Sequence, residues 1–177
     1  MKDVRRRQII EAFKNWNKLK REGLWFSGFE GEGLYKEWWP NGTLCEKSHY
    51  KNGELNGEYK QWWPNGALYI LTYYKNDELD GEYKKWWDNG QLYFLAHYKN
   101  GKKNGEYKQW WRNGNPHISA HYKNGKLDGE YKRWWGNSNL QEESYYRNGK
   151  LDGEYKEWDK NGRLVKHTFY KNGEEIK

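Results

Sequence analysis

Three histidines raise the first chemical question of this sequence. His49, His97 and His121 are separated by multiples of 24 residues, and imidazole nitrogens are common zinc ligands. Asp80 and Glu82, with counterparts further along the chain, offer carboxylates for acid–base work. Cys45 is the single thiol. Whether any of these can act depends on the elements that hold them, because a zinc ion draws its ligands to within about 2 Å.

Those elements come from a repeat. Tyr50, Tyr74, Tyr98, Tyr122, Tyr146 and Tyr170 fill one column of a 24-residue period, and Asn52, Asn76, Asn100, Asn124, Asn148 and Asn172 fill another. Gly57, Gly81, Gly105, Gly129 and Gly153 are each followed by Glu-Tyr-Lys, a variable residue and Trp. A tryptophan doublet recurs as Trp38-Trp39, Trp62-Trp63, Trp86-Trp87, Trp110-Trp111 and Trp134-Trp135, and becomes Trp158-Asp159 in the last copy. Each unit carries two turn signals, one around Asn65-Gly66 and one around Asn76-Asp77, the second reading Asn-Gly in other copies. Asn-Gly favours the two-residue type I′ turn, whose central residues both need positive φ. Two such turns per unit predict an all-β antiparallel meander over residues 24–177, with about twelve strands of roughly ten residues. At roughly 4.8 Å per strand the sheet would run about 55–60 Å and coil through strand twist.

The turns also set a register. A two-residue turn at Asn65-Gly66 places Trp63 opposite Leu68, Gln61 opposite Ile70, Tyr59 opposite Thr72 and Gly57 opposite Tyr74. The next turn places Tyr74 opposite Leu79 and Thr72 opposite Gly81. Arg133 then meets Glu142 and Glu157 meets Lys166, as cross-strand charge pairing favours, whereas Glu37 meets Glu46. Side chains alternate between faces, so Leu79, Gly81, Tyr83, Trp87, Leu92, Ala96 and Tyr98 form a packing face. Small residues there (Ser48, Thr72, Ala96, Ala120, Ser144, Thr168) leave room for aromatic rings. Lys75, Asp80, Glu82, Lys84 and Trp86 form the polar face. Trp38, Trp62, Trp86, Trp110, Trp134 and Trp158 become an aromatic stripe displayed to a partner, and the second tryptophan of each doublet is expected to be buried.

The same register disposes of the chemical candidates. The histidines occupy the column otherwise filled by Tyr73, Tyr145 and Phe169. Successive copies lie two strands, about 10 Å, apart, too far to share a zinc ion. Histidine there substitutes for an aromatic ring. The repeated carboxylates have lysine neighbours such as Lys75 and Lys84 and read as a solvated charge lattice. Cys45 takes the position of Tyr69 and Tyr93. No Ser/Cys–His arrangement, phosphate loop or closely spaced metal motif occurs, so the sequence points to no enzyme, metal or cofactor.

Composition fits a repeat built from rings. Charged residues make up 32% of the 177 and aromatic residues 19%, so Trp and Tyr must supply the area that aliphatic side chains usually bury. The net charge of +7 is unevenly placed: residues 1–23 hold eight Lys/Arg against three Asp/Glu, and the rest hold 24 against 22. The array therefore lacks the continuous basic track that nucleic acid calls for. A lone cysteine forbids an internal disulfide, and no apolar run suits a signal peptide or membrane span, which predicts a cytoplasmic protein.

Units of the form Y-K-N-G-x-L-D-G-E-Y-K-x-W-W-x-N-G-x-L resemble the MORN repeat in its variant form, over about residues 25–177. That variant occurs in bacterial proteins often described as antitoxins and in arrays encoded by large DNA viruses of protists. The resemblance implies an extended, curved antiparallel sheet whose aromatic-lined groove binds proteins or, in some relatives, membrane lipids. Asp77, Lys103, Pro116, Ser138 and Asp159 depart from the pattern and are expected to weaken individual turns or contacts.

Residues 2–22 lack Gly and Pro and place Ile9, Phe13 and Trp16 on one helical stripe, with Arg7, Lys14, Lys18 and Arg21 opposite. They predict an N-terminal basic amphipathic helix within segment 1–23, which caps the first edge of the sheet or offers its basic face to anionic lipid. The whole chain reads as a non-enzymatic scaffold that binds a protein through the tryptophan stripe. Association with anionic lipid through the helix is the alternative, nucleic acid is disfavoured, and a homo-oligomer stays open.

Overall fold

The computed structural model describes residues 33–176. The expected helix over 2–22, its basic residues Arg7, Lys14, Lys18 and Arg21, and the start of the expected meander at 24–32 lie outside those residues. Thirteen strands follow one another in a single sheet: β1 (Gly33–Trp38), β2 (Leu44–Lys51), β3 (Glu54–Trp62), β4 (Leu68–Lys75), β5 (Glu78–Trp86), β6 (Leu92–Lys99), β7 (Lys102–Trp110), β8 (Pro116–Lys123), β9 (Lys126–Trp134), β10 (Leu140–Arg147), β11 (Lys150–Trp158), β12 (Leu164–Lys171) and β13 (Glu174–Ile176). Spatial order equals chain order, so every strand pairs only with its sequence neighbours. The meander is thus as expected, one strand longer among the described residues.

The two turns of each unit differ in kind. Asn76 and Asp77 both have positive φ, 50° and 64°, as do Asn100 and Gly101, which makes these the type I′ turns expected. At Asn65-Gly66 only Gly66 has positive φ. The Gly66 amide donates to the Trp63 carbonyl and the Trp63 amide to the Ala67 carbonyl, closing a three-residue loop. Pro64 suits the first central position of a type I turn, with glycine in the left-handed position after it, but the same bonds close the loops that carry Asp88, Arg112, Gly136 and Lys160 instead. What most copies share is the asparagine, whose Oδ1 accepts from the amide two residues on, as Asn65 does from Ala67 and Asn89 from Gln91. One added loop residue moves the register, so Trp62 rather than Trp63 pairs with Leu68, and Tyr69 bulges between Leu68 and Ile70. Leu68 and Leu92 therefore share a face with the first tryptophan of each doublet and leave the packing face.

A second correction concerns the glycine column. Thr72 pairs with Tyr83, not Gly81, and Asp80-Gly81-Glu82 bulges against Tyr73. Gly81 sits at φ 122°, and Gly153 at φ 137° lies so close to its neighbour that an added Cβ would stand 3.0 Å from the Tyr145 Cβ. Only glycine combines that dihedral with that approach. The other expected pairs hold: Gly57 with Tyr74, Tyr59 with Thr72, Gln61 with Ile70, Tyr74 with Leu79, Arg133 with Glu142, Glu157 with Lys166, and Glu37 with Glu46.

With a single layer of strands, burial comes from lateral packing. Tyr59, Thr72, Tyr83, Ala96, Tyr107 and Ala120 form one transverse row of alternating large and small residues. Thr72 and Ala96 are 1% and 0% exposed, because tyrosines from both sides cover them. Rings meet edge-on or tilted above the row: Tyr59 with Tyr74 at 5.6 Å, Tyr83 with Tyr98 at 5.9 Å, Tyr107 with Tyr122 at 5.3 Å. The small residues thus lie between two tyrosines instead of between a tyrosine and a glycine.

The second tryptophans are half-buried rather than buried, as are the first. What separates them is company. Trp63 stacks on Tyr69 at 4.3 Å, Trp87 on Tyr93 at 4.4 Å and Trp111 on His117 at 3.8 Å. The indole Nε1 of Trp39 and Trp135 donates to the carbonyl of Trp62 and Trp158, one repeat further on. Asn65 Nδ2 reaches the Asp88 carbonyl in the same way. At the other ends of the strands, the Gly101 and Gly125 amides donate back to the Leu79 and Lys103 carbonyls. Consecutive repeats are therefore tied along both margins of the sheet, beyond the strand ladder itself.

Three departures from the repeat carry their own compensation. Asp77 Oδ1 accepts from the Leu55 amide at 2.8 Å. Asp159 Oδ1 accepts from the Asn161 and Arg163 amides, holding the last loop where a tryptophan is missing. Lys103 replaces the leucine of neighbouring units and lays its Nζ over the rings of Tyr107 and Tyr122, 4.4 and 4.8 Å from their centres.

Candidate binding surface

The strand sequence Glu-Tyr-Lys-x-Trp puts Glu58, Lys60 and Trp62 on one face of β3, and the same face of β5, β7, β9 and β11 repeats the trio. The register joins these into rows. Lys60, Leu71, Lys84, Leu95, Lys108, Ser119 and Lys132 are successive cross-strand partners. Two residues further along each odd strand runs the row of Trp38, Trp62, Trp86, Trp110, Trp134 and Trp158. All six expected stripe residues are half-buried on this face.

Each lysine is held by the glutamate two residues before it. Lys60 meets Glu58 at 2.8 Å, Lys84 meets Glu82 at 2.7 Å and Lys156 meets Glu154 at 2.8 Å. Lys132 takes two carboxylates, Glu130 at 2.8 Å and Glu143 from β10 at 3.1 Å, and hydrogen bonds to both push its pKa up. The charge lattice is thus ordered into paired rows. The Asp80-type carboxylates behave differently, since Asp80 Oδ2 accepts from the Asn100 amide and Asp128 Oδ2 from the Asn148 amide. They fasten the turn of the following repeat, a role that the 20-residue interval between Asp and Asn could have signalled.

Trp62, Trp86, Trp110, Trp134 and Trp158 stand apart from the second tryptophans. None has a ring stacked on it, and none has a hydrogen-bond partner for its indole N–H, among the described residues. Nor are these N–H groups sealed from solvent, whereas Trp87 Nε1 and Trp111 Nε1 are buried without a partner. The surface therefore offers a row of indole faces with free donors beside a row of cations.

The histidine column serves locally. His49 Nδ1 lies 3.0 Å from the Glu58 carbonyl oxygen and His121 Nδ1 lies 3.1 Å from that of Asp128. Among the described residues no group of three or more His, Cys, Asp or Glu converges to hold a metal. Cys45 is half-buried within β2.

The opposite face was less legible. Burial, then the neighbouring tyrosines, pushes the Tyr107 phenol up to about 12, against a partial lowering by Gln109. Tyr155 is likewise pushed up to about 12 by burial and by Glu142 and Glu157. Among the described residues, Glu46 and Glu142 are buried there. Glu46 accepts from Ser48, Tyr59 and Gln61, and Glu142 from Ser144 and Arg133. With its acceptor sites filled from within the sheet, neither is placed for acid–base work.

A family model described as the MORN repeat variant matches residues 31–52, 55–76, 79–100, 103–124, 127–148 and 151–172. The chain belongs to the MORN repeat variant family. Repeats of this family generally act as scaffolds for protein or membrane interaction. The matches keep the 24-residue step and coincide with the tryptophan and glycine columns of the sheet. Comparison with curated proteins gives no match. Among solved structures, one described as "Glycosylation Associate Protein (Gap123) complex from Streptococcus agalactiae" is similar at a TM-score of 0.33 and 18% identity. The similarity covers 61% of this MORN-variant chain and spans 20% of that one. No helix among the described residues is long and apolar enough to cross a membrane.

Proposed function

We propose that this MORN-variant array is a non-enzymatic scaffold that binds a protein through the row of Trp62, Trp86, Trp110, Trp134 and Trp158. The observation that carries this reading is the contrast within the doublets. The second tryptophan spends its ring on a hairpin partner, while the first keeps ring face and N–H unspent. Half-buried tryptophans with a free donor, bordered by charged side chains, are the usual make-up of an interface anchor and its polar rim.

Selection of a random-peptide display library on the immobilised chain tests the reading. Peptides should enrich on the native protein and lose binding to a Trp86→Ala/Trp110→Ala variant that keeps its β-sheet circular dichroism. Equal capture by the variant would overturn it. So would a chain that enriches no peptide but sediments with anionic vesicles, which would move the function to lipid and to the basic segment containing Arg7, Lys14, Lys18 and Arg21.

A further inference from the structure

We infer that the tryptophan row takes an acidic, proline-rich segment in the polyproline II conformation, lying across the strands with a proline at every third residue. This rests on the reading of the row as a protein-binding surface and names the kind of protein segment it fits.

Spacing is the first argument. Trp62, Trp86 and Trp110 occur on every second strand of a sheet in strict chain order. Strands lie about 4.8 Å apart, so successive anchors stand about 9.6 Å apart. A polyproline II helix has three residues per turn and rises about 3.1 Å per residue, so one edge of it returns every ~9.3 Å. The mismatch is about 0.3 Å per repeat. A β-strand returns the same face every ~6.6 Å and falls out of step at the first repeat. An α-helix, at ~5.4 Å per turn, overshoots by about 1 Å every two turns.

Chemistry is the second. The indole N–H groups of these tryptophans have no partner among the described residues and are open to an incoming carbonyl oxygen. Polyproline II has no internal hydrogen bonds, so its carbonyls are free, and its pyrrolidine rings pack flat on aromatic surfaces.

Charge is the third. Lys132 shows that a lysine of the adjoining row accommodates two carboxylates at once. Among the described residues Lys84 has a single acidic partner, Glu82, because its cross-strand neighbours are Leu71 and Leu95. Lys108 likewise has only Glu106 among the described residues, because its neighbours are Leu95 and Ser119. A ligand carboxylate fills the second place at each, which makes the segment acidic and centres it on Trp62, Trp86 and Trp110. Sheet twist of roughly 20–25° per strand turns successive anchors about the row and limits a straight ligand to about three of them.

Fluorescence anisotropy with a labelled peptide of four Pro-Pro-Glu units tests the inference. It should bind saturably, and about tenfold more tightly than four Pro-Pro-Lys units or four Gly-Ser-Glu units, which keep the length and change the charge or the conformation. A Trp86→Ala/Trp110→Ala variant should lose about tenfold or more. A Lys84→Glu/Lys108→Glu variant with unchanged circular dichroism should now prefer the Pro-Pro-Lys peptide, a reversal that misfolding cannot produce. Equal binding of the Gly-Ser-Glu or Pro-Pro-Lys peptide, no saturation at millimolar concentration, or displacement of the peptide by the glycan cellohexaose would each overturn it. If library peptides bind through Trp86 and Trp110 while Pro-Pro-Glu does not, the scaffold reading stands and this inference alone fails.

Discussion

The indole Nε1 of Trp63 donates to the backbone carbonyl of Trp86, one full repeat further along, at 3.1 Å. The bond runs from one hairpin loop to the end of the next odd strand, so it couples neighbouring repeats instead of closing its own hairpin. In a solenoid, stability is a sum of unit terms and nearest-neighbour terms, and this bond belongs to the second class.

Trp63→Phe and Trp135→Phe should therefore each cost about 1 kcal/mol, the usual worth of such a bond. The Trp87→Phe change should cost less, because its Nε1 has no bond to lose. Full truncation separates the doublet members: Trp87→Ala loses the stack on Tyr93 and the Arg112 guanidinium over its ring. It should cost about 2–3 kcal/mol, and Trp86→Ala clearly less. Urea unfolding of the five variants ranks them, and an equal cost for alanine at Trp86 and Trp87 would contradict the division of labour.

Turn chemistry gives a pair of opposed expectations. Ser138 stands at φ 70° where other repeats have glycine, and among the described residues its side chain makes no hydrogen bond of the kind Asp77 makes. Ser138→Gly should stabilise by about 1 kcal/mol through relief of the left-handed backbone. Asp77→Gly relieves the same strain but removes the Asp77 Oδ1 bond to the Leu55 amide, leaving that amide unpaired. It should be neutral or destabilising. The thermal midpoint should rise for Ser138→Gly and should not rise for Asp77→Gly.

The repeat, the all-β meander and most of the register were legible because period, turn residues and alternation agree at six places. The two local departures from the expected register have different sources. Asn65-Gly66 and Asn76-Asp77 resemble each other as dipeptides, but Asn65 turns its Oδ1 onto the Ala67 amide and closes a three-residue loop, and the added loop residue moves Trp63 out of register with Leu68. The bulge at Asp80-Gly81-Glu82 left only a conserved-looking column of glycines as its trace, and glycine serves both bulges and turns. The tryptophan row could be placed on its face from alternation alone. Which of its groups stay unpaired could not, because that depends on hydrogen bonds reaching 23 residues ahead, such as Trp63 to Trp86.

Lys103 offers a test of how the tyrosine face tolerates charge. Burial lowers its pKa, so the ammonium is less favoured in the folded sheet than in water, and its contacts with Tyr107 and Tyr122 offset this only in part. Replacement by the leucine found at Leu79 and Leu127 removes the penalty and adds apolar contact. Lys103→Leu should raise the thermal midpoint by about 2–4 °C. A lowered midpoint would mean that the cation over the two rings is worth more than its desolvation.

Alkaline pH should dismantle the tyrosine face before the tryptophan row. Burial raises the phenol pKa of Tyr107 and Tyr155 to about 12 from the ordinary value of 10.0, and raises those of Tyr83, Tyr98 and Tyr131 in the same direction. For an acid whose folded pKa is raised, the folded state holds its proton more tightly than the unfolded chain does. Such a group lends full stability below the unfolded pKa, and stability falls as pH rises from there through the folded value. The array should thus keep its urea midpoint up to about pH 10 and lose it progressively towards pH 12, with phenolate absorbance at 295 nm rising in step with unfolding. Tyr107→Phe keeps the ring packing and deletes one of these phenols, so its stability should fall less steeply over that window. A Tyr107→Phe variant that declines as steeply as the native chain would show that alkaline sensitivity has another origin.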